Sequence, residues 1–402
     1  MSRTLRTVPA GPDGAAALLL ALRAALAGTG PAVLSAPEPH APAPSPTGPP
    51  EVPEVPDGVA LVVATSGSTG APRAVMLSAR ALRASAAATQ ARLGGPAQWL
   101  LTLPPTHVAG LQVLVRSILA GTEPVVATPG GFRPDAFAAD SARLTGSRRY
   151  VSLVPTQLHR LLDDAGAGLA ALTTFDAVLV GGAATGDALL ARAAAAGVQV
   201  VTTYGMSETC GGCVYDGTPL DGVRLALDDD GRILVAGAVL ATGYLGRPDL
   251  DALAFTTIHG ERWLRTSDLG DLGPAGTGPL GVLGRADDVL VSGGTNVSPA
   301  AVERLLLQLP GLGDVCVVGV PDLEWGQLVT AVVVPAPGAP APELAVLRAH
   351  VTRSLGAPSA PRRLVVTDRL PLRGPGKTDR RAATDLAAAA LHGLRTSAIE
   401  PS

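Results

Sequence analysis

The sequence predicts an α/β fold: a large N-terminal domain with parallel α/β layers and a small β-rich subdomain, followed by a smaller α+β C-terminal domain. Three observations predict this fold. Strand-like apolar runs alternate with alanine-rich helical runs between residues 59 and 202, which is typical of a parallel sheet covered by helices. Between residues 213 and 285, shorter strands separated by Gly, Pro and Asp indicate antiparallel pairing. Residues 289–385 then combine strands and helices of their own.

The N-terminal part begins with a short amphipathic helix and continues into a connector. Residues 15–27 are apolar apart from Arg23, and residues 36–57 contain repeated prolines, which favour an extended and poorly packed chain. From Val59 onward, the pattern predicts strands at 59–64, 99–103, 125–127, 150–154, 177–180 and 198–202. It predicts helices at 78–93, 111–120, 156–163 and 186–196.

The C-terminal part is predicted to be a domain in its own right. The pattern gives it helices at 299–309 and 342–355, strands at 314–320, 328–335 and 363–366, and a closing glycine loop. A chain of 402 residues exceeds what one hydrophobic core usually serves. We therefore expect two unequal domains, 1–286 and 287–402.

Composition and charge exclude several classes of protein. Hydrophobic residues make up 47% and charged residues 16%, which separates the chain from disordered proteins. A formal net charge of -3 gives no basic footprint for nucleic acid or an anionic membrane, so neither partner is expected. The mean hydropathy of +0.32 reflects Ala, Val and Leu, and no apolar run reaches the roughly 18 residues of a membrane span. We expect a cytoplasmic protein.

The three cysteines predict no disulfide framework. Cys210 and Cys213 form a Cys-Gly-Gly-Cys pair, which offers two ligands where structural zinc takes four. A redox role for the pair stays open, but the two glycines favour close approach of the backbone. Cys316 is interpreted as a small buried hydrophobe on a strand.

The chain is organised around a loop rich in hydroxyls and glycine, Thr65-Ser66-Gly67-Ser68-Thr69-Gly70, which follows the strand at 59–64 and leads to Arg73. Its glycines allow amide N–H groups to turn toward an anion, and its hydroxyls add further donors. The triphosphate of ATP is the natural ligand. A Walker P-loop would need a lysine directly after the last glycine, which is lacking here. The alternative is an ordinary Ser/Gly turn between two strands.

Five motifs occur in the order and spacing of the adenylate-forming superfamily, which the chain therefore resembles. The superfamily includes acyl- and aryl-CoA ligases, nonribosomal adenylation domains and luciferases. The motifs are residues 65–73, Thr203-Tyr-Gly-Met-Ser-Glu208, Arg265-Thr-Ser-Asp268, Gly284-Arg-Ala-Asp-Asp288 with Gly293, Gly294 and Pro299, and residues 370–377, which end in Lys377. The resemblance implies an ATP-dependent, AMP-forming acid–thiol ligase. Such an enzyme uses ATP, Mg²⁺ and coenzyme A with a small-molecule acid.

Within the superfamily, three segments resemble the compact forms of the o-succinylbenzoate–CoA ligases of menaquinone biosynthesis. They are Pro105-Thr-His107 with the residues that follow, residues 152–158, and residues 204–217. The alternatives that stay open are another aryl- or acyl-CoA ligase and a carrier-protein adenylating enzyme. A catalytically dead adenylate-binding protein is disfavoured by the joint presence of Lys377, Glu208 and Asp268. Oligomeric state is open, with a homodimer among the options.

The resemblance also implies roles for individual residues. Lys377 would place its cation between the acid and the α-phosphate during adenylation, and Glu208 with Thr69 would hold Mg²⁺. The nucleotide-binding residues implied by the resemblance are Thr65, Ser66, Gly67, Ser68, Thr69, Gly70, Arg73, Gly182, Ala183, Tyr204, Gly205, Met206, Ser207, Asp268 and Arg285.

The acid and CoA sites follow from the same resemblance. His107 would face the acid, with Thr209 offering a hydroxyl to its ring carboxylate. The residues that would leave room for a flat aryl ring and its succinyl arm are Gly110, Cys210, Gly211 and Gly212; a plain tight loop at 207–212 is the alternative. Asp287 would be the hinge about which the C-terminal domain rotates, bringing Gly293 and Gly294 to the CoA channel.

Three positions depart from the superfamily pattern. Arg73 stands where lysine is usual. This change keeps a positive charge but replaces a compact ammonium with a planar guanidinium. Ala74 stands in place of glycine. Ser267 also replaces a glycine, and its hydroxymethyl group is expected to weaken ATP binding slightly.

Overall fold

In this computed structural model the described residues are 2–11, 14–37, 54–66, 72–336, 338–373 and 377–397. The strands, in chain order, are β1 (Ser2–Pro9), β2 (Ala32–Ala36), β3 (Glu54–Pro56), β4 (Val59–Ser66), β5 (Pro72–Ser78), β6 (Gln98–Leu101), β7 (Val125–Val126), β8 (Arg149–Leu153), β9 (Ala177–Gly181), β10 (Val200–Met206), β11 (Gly211–Tyr215), β12 (Thr218–Pro219), β13 (Val223–Leu227), β14 (Arg232–Gly237), β15 (Gly243–Tyr244), β16 (Phe255–Ile258), β17 (Glu261–Asp271), β18 (Gly281–Arg285), β19 (Leu290–Ser292), β20 (Thr295–Val297), β21 (Leu312–Asp322), β22 (Gly326–Pro335), β23 (Arg363–Val366), β24 (Leu372–Arg373) and β25 (Lys377–Thr378). The helices are α1 (Ala15–Ala27), α2 (Ala79–Arg92), α3 (Val108–Ala120), α4 (Pro134–Ser141), α5 (Pro155–Asp164), α6 (Ala167–Leu172), α7 (Asp187–Ala195), α8 (Pro248–Ala254), α9 (Pro299–Leu306), α10 (Leu344–Leu355) and α11 (Arg380–Ser397).

The first sheet contains the strands on both sides of the predicted phosphate loop. Its order is β15-β5-β4-β2-β1-β3, with β1, β2 and β4 parallel to one another and β5 and β15 antiparallel to their neighbours. Leu18 and Leu22 of α1 are fully buried in the core that this sheet shares with the second sheet. Helix α2 begins at its N-cap Ser78, whose hydroxyl accepts a hydrogen bond from the N–H of Ala81.

The second sheet positions the site. Its order is β12-β11-β10-β9-β8-β6-β7, and β6 to β10 are parallel in this sheet. Side chains of α2 and α3 share a core with Trp99 on one face, while α5 packs with Val151 on the other face. Because parallel strands end at the same edge, the segments that follow β6, β9 and β10 meet there, and these segments carry the predicted acid-site residues together with Glu208, Gly182 and Ala183.

Two further sheets complete the architecture. The third sheet is antiparallel, with the order β13-β14-β17-β16 and with β18 beside β17. The C-terminal sheet has the order β20-β19-β22-β21 with β23 beside β22, and its helices α9 and α10 cover one hydrophobic core. A short hairpin of β24 and β25 precedes α11.

The structure differs from the sequence prediction in several elements. Strands β1 and β2 flank the N-terminal helix, and β3, at the end of the predicted connector, pairs with β1 and buries Val55. Residues 72–78 form β5, so Arg73 lies in a strand rather than in the loop predicted over 65–73. Helices α4, α6, α8 and α11 were not predicted. In the described part of the chain, no helix is long and apolar enough to cross a membrane.

Candidate active site

The predicted phosphate loop begins at the end of β4, which pairs with β5. Thr65 pairs with Arg73 across these two strands, and the Thr65 hydroxyl donates to the Arg73 carbonyl at 3.2 Å. Residues 67–71 lie outside the described part of the chain, and so does the side chain of Ser66. The roles of Gly67, Ser68, Thr69 and Gly70, including the metal ligand Thr69, therefore stay predictions.

Three residues predicted to bind the nucleoside lie together. The hydroxyl of Tyr204, on β10, donates to Oδ2 of Asp268, on β17, at 2.9 Å. Arg285, paired with Asp268 on β18, approaches its Oδ1 at 3.5 Å. Burial, and then the charge of Asp268, raise the pKa of Tyr204, so its phenol remains a donor. Gly182 and Ala183 are exposed directly after β9, beside Tyr204 on the neighbouring strand.

The predicted hinge begins where this cluster ends. Asp287 lies in the 3-10 turn Ala286–Asp288 and accepts a hydrogen bond from Arg285 at 2.9 Å. The Arg285 guanidinium thus spans from the predicted ribose carboxylate to the predicted pivot.

Glu208 lies in a 3-10 turn directly after β10. Its Oε1 accepts a hydrogen bond from the hydroxyl of Tyr244 at 2.8 Å, and its carbonyl accepts one from the N–H of Ala241 at 2.8 Å. Among the described residues, no group of three or more His, Cys, Asp and Glu side chains could hold a metal ion. A single carboxylate suits Mg²⁺, because this cation usually keeps several waters and takes its remaining ligands from the phosphates of its substrate.

Thr209 lies inside the loop of residues 206–212 rather than on its surface. Its side chain is fully buried, its hydroxyl donates to the carbonyl of Gly211 at 2.7 Å, and it accepts from the N–H of Met206 at 2.9 Å. Ser207 is also buried. The Thr209 hydroxyl is thus committed to the loop's own backbone, and this geometry gives no direct contact to an acid.

The glycines of this loop leave no space for side chains. A Cβ on Gly205 would lie 2.1 Å from the carbonyl oxygen of Gly211, and one on Gly212 would lie 3.0 Å from the ring of Tyr215. Cys210 and Gly211 have φ values of +54° and +88°, which fold the loop back sharply. The prediction of close backbone approach is consistent with this geometry.

Helix α3 brings His107 to the same loop. His107 is the exposed N-cap residue of α3, and Gly110 is buried one turn later, where a Cβ would lie 2.5 Å from the carbonyl oxygen of Pro104. Gln112 of the same helix is buried and donates to the carbonyl of Cys210. The predicted acid-facing histidine and the predicted acid pocket are therefore held together through α3.

The cysteine pair is not placed for redox chemistry. Cys210 and Cys213 are both free and fully buried. Burial raises the pKa of Cys213 to about 12, and burial also raises that of Cys210. Because the thiolate is the reactive form, these thiols are inert packing groups.

The hairpin that carries Lys377 is tied to the hinge by Arg380. Lys377 begins β25, and Arg380 begins α11 three residues later. The Arg380 guanidinium binds both carboxylate oxygens of Glu303 at 2.6 and 2.8 Å, and its Nε donates to Asp288, next to Asp287, at 3.0 Å. Burial lowers the pKa of Arg380, but the hydrogen bonds and the charge of Glu303 raise it by a larger amount. The pKa of Arg380 therefore lies above its usual value. Lys377 is the only lysine in the sequence.

Gly293 and Gly294 form a tight turn against an aromatic ring. Both have positive φ values, and the N–H of Gly293 donates to the carbonyl of Trp325 at 2.9 Å. A Cβ on Gly293 would lie 2.7 Å from the Trp325 ring. The Arg362 guanidinium stacks on the same ring, with its carbon 3.3 Å from the ring centroid. The predicted channel turn is thus packed on a stacked Trp–Arg pair.

Comparison with known proteins identifies the family. The sequence pattern of the AMP-binding enzyme family matches residues 16–245, which is more than half of the chain, and that of the AMP-binding enzyme C-terminal domain matches residues 301–377. This chain belongs to the AMP-binding enzyme family. The predicted family and fold class are therefore confirmed.

Two similar proteins, one of them in two complexes, are informative about this AMP-binding enzyme. It is 48% identical over 377 residues to the "Probable 2-succinylbenzoate–CoA ligase" of Mycobacterium tuberculosis, covering 93% of this chain and 96% of that protein. The o-succinylbenzoate CoA synthetase of Bacillus subtilis, in complex with its acyl-adenylate intermediate, is 28% identical, with a TM-score of 0.68, 82% of this chain covered and 69% of that chain. The same enzyme in complex with ATP and a magnesium ion has a TM-score of 0.67 at 28% identity, covering 81% and 70%.

The structure adds site residues of the AMP-binding enzyme that the sequence analysis missed. Tyr244 contacts Glu208, Gln112 supports the loop at Cys210, and Arg380 anchors the Lys377 hairpin. Each acts through a partner far away in sequence, so no local motif revealed it.

Proposed function

We propose that this AMP-binding enzyme is an ATP- and Mg²⁺-dependent o-succinylbenzoate–CoA ligase that serves menaquinone biosynthesis. The observation that carries the proposal is the 48% identity to the Mycobacterium tuberculosis protein over nearly the full length of both chains. The hydrogen bond between Tyr204 and Asp268, and the position of Glu208 directly after β10, support the same reaction class. ATP, Mg²⁺ and CoA are the proposed cosubstrates and cofactor.

The first step makes an acyl-adenylate. The succinyl carboxylate attacks the α-phosphorus of ATP, an oxygen–phosphorus bond forms, and pyrophosphate leaves. Asp268 and Tyr204 would bind the ribose and adenine ends, and Lys377 would stabilise the charge that develops at the α-phosphate. Mg²⁺ at Glu208 would neutralise phosphate charge.

The second step makes the thioester. The thiol of CoA attacks the acyl carbon, loses its proton, and displaces AMP. Lys377 is not needed once pyrophosphate has left, so rotation about Asp287 would remove it and bring the Gly293-Gly294 turn to the CoA channel.

The ring carboxylate of o-succinylbenzoate requires donors in the pocket. Leaving it bare would cost several kcal/mol. The Thr209 hydroxyl is already bonded within its own loop. We therefore assign recognition of the ring carboxylate to backbone N–H groups of residues 207–212 and to ordered water, with His107 on the side of the reacting carboxylate. No arginine or lysine of these motifs provides a full counter-charge.

A pyrophosphate-release screen tests the proposed substrate. We expect o-succinylbenzoate to be the preferred acid among aryl and fatty acids, with thioester formed only when CoA is present. Its analogue without the ring carboxylate, 4-phenyl-4-oxobutanoate, should have a kcat/KM lower by roughly 10² because buried donors lose their partner. Equal use of the two acids, or of simple benzoates, would indicate a general aryl-CoA ligase, and adenylate formation without any thioester in the presence of CoA would indicate a carrier-protein adenylating enzyme.

A proline at the hinge tests domain rotation. Asp287→Pro fixes φ and removes a backbone N–H, so adenylate formation should persist while thioester formation falls. Asp287→Ala is the matched control, because it removes the carboxylate bound by Arg285 but leaves the backbone free. The two half-reactions are measured separately by pyrophosphate release and by conversion of supplied acyl-adenylate. Unchanged thioester formation in the proline variant would contradict the rotation.

A further inference from the structure

The buried side chain of Tyr244 forms a hydrogen bond with the carboxylate of Glu208. The residue is 5% exposed, and its phenol donates to Oε1 of Glu208 at 2.8 Å. An ionised carboxylate can only accept hydrogen bonds, so the phenol is the donor in this contact. In the part of the chain that the structure describes, this is the side-chain hydrogen bond that Glu208 makes, and its Oε2 remains available to a cation.

The strand β15 fixes the phenol. Tyr244 pairs with Val75 of β5, its N–H donates to Oδ1 of Asp251 at 2.7 Å, and its ring packs on Phe255 at 6.2 Å between centroids. The same segment binds the backbone of Glu208 through the N–H of Ala241. One short segment thus holds Glu208 at two points, its carbonyl and its carboxylate.

Arg73 connects this segment to the base of the phosphate loop. Its guanidinium carbon lies 6.0 Å from the centroid of the Tyr244 ring, and its backbone pairs with Thr65, where β4 ends. The Tyr244 side chain therefore lies close to both a guanidinium at the loop and a carboxylate after β10. This arrangement orients the carboxylate relative to the segment that would bind the phosphates.

We propose that Tyr244 is a positioning residue for Glu208, and that its hydroxyl fixes the carboxylate in the orientation that binds Mg²⁺ in the ATP complex. The inference rests on the proposed role of Glu208 as the metal ligand. Groups that hydrogen-bond a metal-binding carboxylate orient it, and their loss typically lowers metal affinity or activity about 10–100-fold.

The test is Tyr244→Phe, which removes only the hydroxyl. We expect Mn²⁺, a paramagnetic substitute for Mg²⁺, to bind the enzyme with a non-hydrolysable ATP analogue about tenfold more weakly, measured by electron paramagnetic resonance of free Mn²⁺. The Mg²⁺ concentration for half-maximal pyrophosphate release should rise by a similar factor. Conversion of supplied acyl-adenylate and CoA should stay within about twofold of the wild type, because that half-reaction does not involve the triphosphate.

The matched control is Tyr215→Phe. This phenol is similarly buried but binds Thr89 and Arg116, and its loss should leave Mn²⁺ binding unchanged. Wild-type Mn²⁺ affinity in Tyr244→Phe would overturn the inference, as would an equal loss in both half-reactions. Glu208→Gln separates the two proposals: if it weakens Mn²⁺ binding while Tyr244→Phe does not, only the role of Tyr244 fails, and if neither does, the metal role of Glu208 fails with it.

Discussion

Replacing Lys377 by alanine should lower the rate of acyl-adenylate formation by roughly a thousandfold while leaving thioester formation from supplied acyl-adenylate nearly intact. The physical reason is that negative charge concentrates on the α-phosphate only in the first step. The measurement is pyrophosphate release for the first half-reaction and conversion of acyl-adenylate with CoA for the second.

Lys377→Arg is the informative companion. The chain uses arginine for every other long cationic side chain, and the compact ammonium of Lys377 differs from a guanidinium in size and in its distribution of charge. We expect this arginine variant to restore little adenylation, because the planar guanidinium distributes its charge over a wider group. Equal loss of both half-reactions in Lys377→Ala would argue against a role confined to adenylation, and full activity of Lys377→Arg would show that any cation suffices.

Arg380→Ala should lower the free energy of unfolding of the C-terminal domain by about 3 kcal/mol, since it leaves a largely buried carboxylate unpaired. Glu303, whose side chain is 15% exposed, would lose two hydrogen bonds, and Asp288 would lose one. The measurement is urea unfolding, monitored by hydrogen exchange of the amides of β21. The Arg380 guanidinium also contacts this strand, because it donates to the carbonyl of Val317.

Two variants control this result. Arg353→Ala removes an exposed guanidinium that bonds only within its own helix, and stability should change by less than about 0.5 kcal/mol. The double variant Arg380→Met, Glu303→Leu removes both charges and should recover much of the loss. If Arg380→Ala were as stable as the wild type, the network would contribute nothing to the domain.

The alternation of strands and helices was enough to predict the layers, because buried parallel strands are apolar runs and the helices that cover them are alanine-rich runs in the sequence. It could not predict β5. Pro72 to Ser78 follows a glycine-rich loop at once, and its strand character comes from pairing with both β4 and β15, the latter far away in sequence. The predicted loop therefore extended too far and took in Arg73.

Sequence motifs predicted which side chains the fold would bring together, but they could not predict which side chains form their hydrogen bonds within their own loop. Tyr204 and Asp268 were assigned to one nucleotide, and the fold brings them to 2.9 Å although they lie in different sheets. Thr209 carries a hydroxyl in the right motif, but its donor and acceptor capacity is taken up by Gly211 and Met206. Sequence shows which polar atoms are present, and only the folded backbone shows which of them are already satisfied.

The contact of Arg380 with Asp288 also has a topological meaning. The two residues are separated by 92 positions, so their ion pair closes nearly the whole C-terminal domain into a loop whose two ends meet beside the hinge. In the proposed rotation about Asp287, α11 would therefore move together with the rest of the C-terminal domain, because Arg380 ties its first turn to both Asp288 and Glu303.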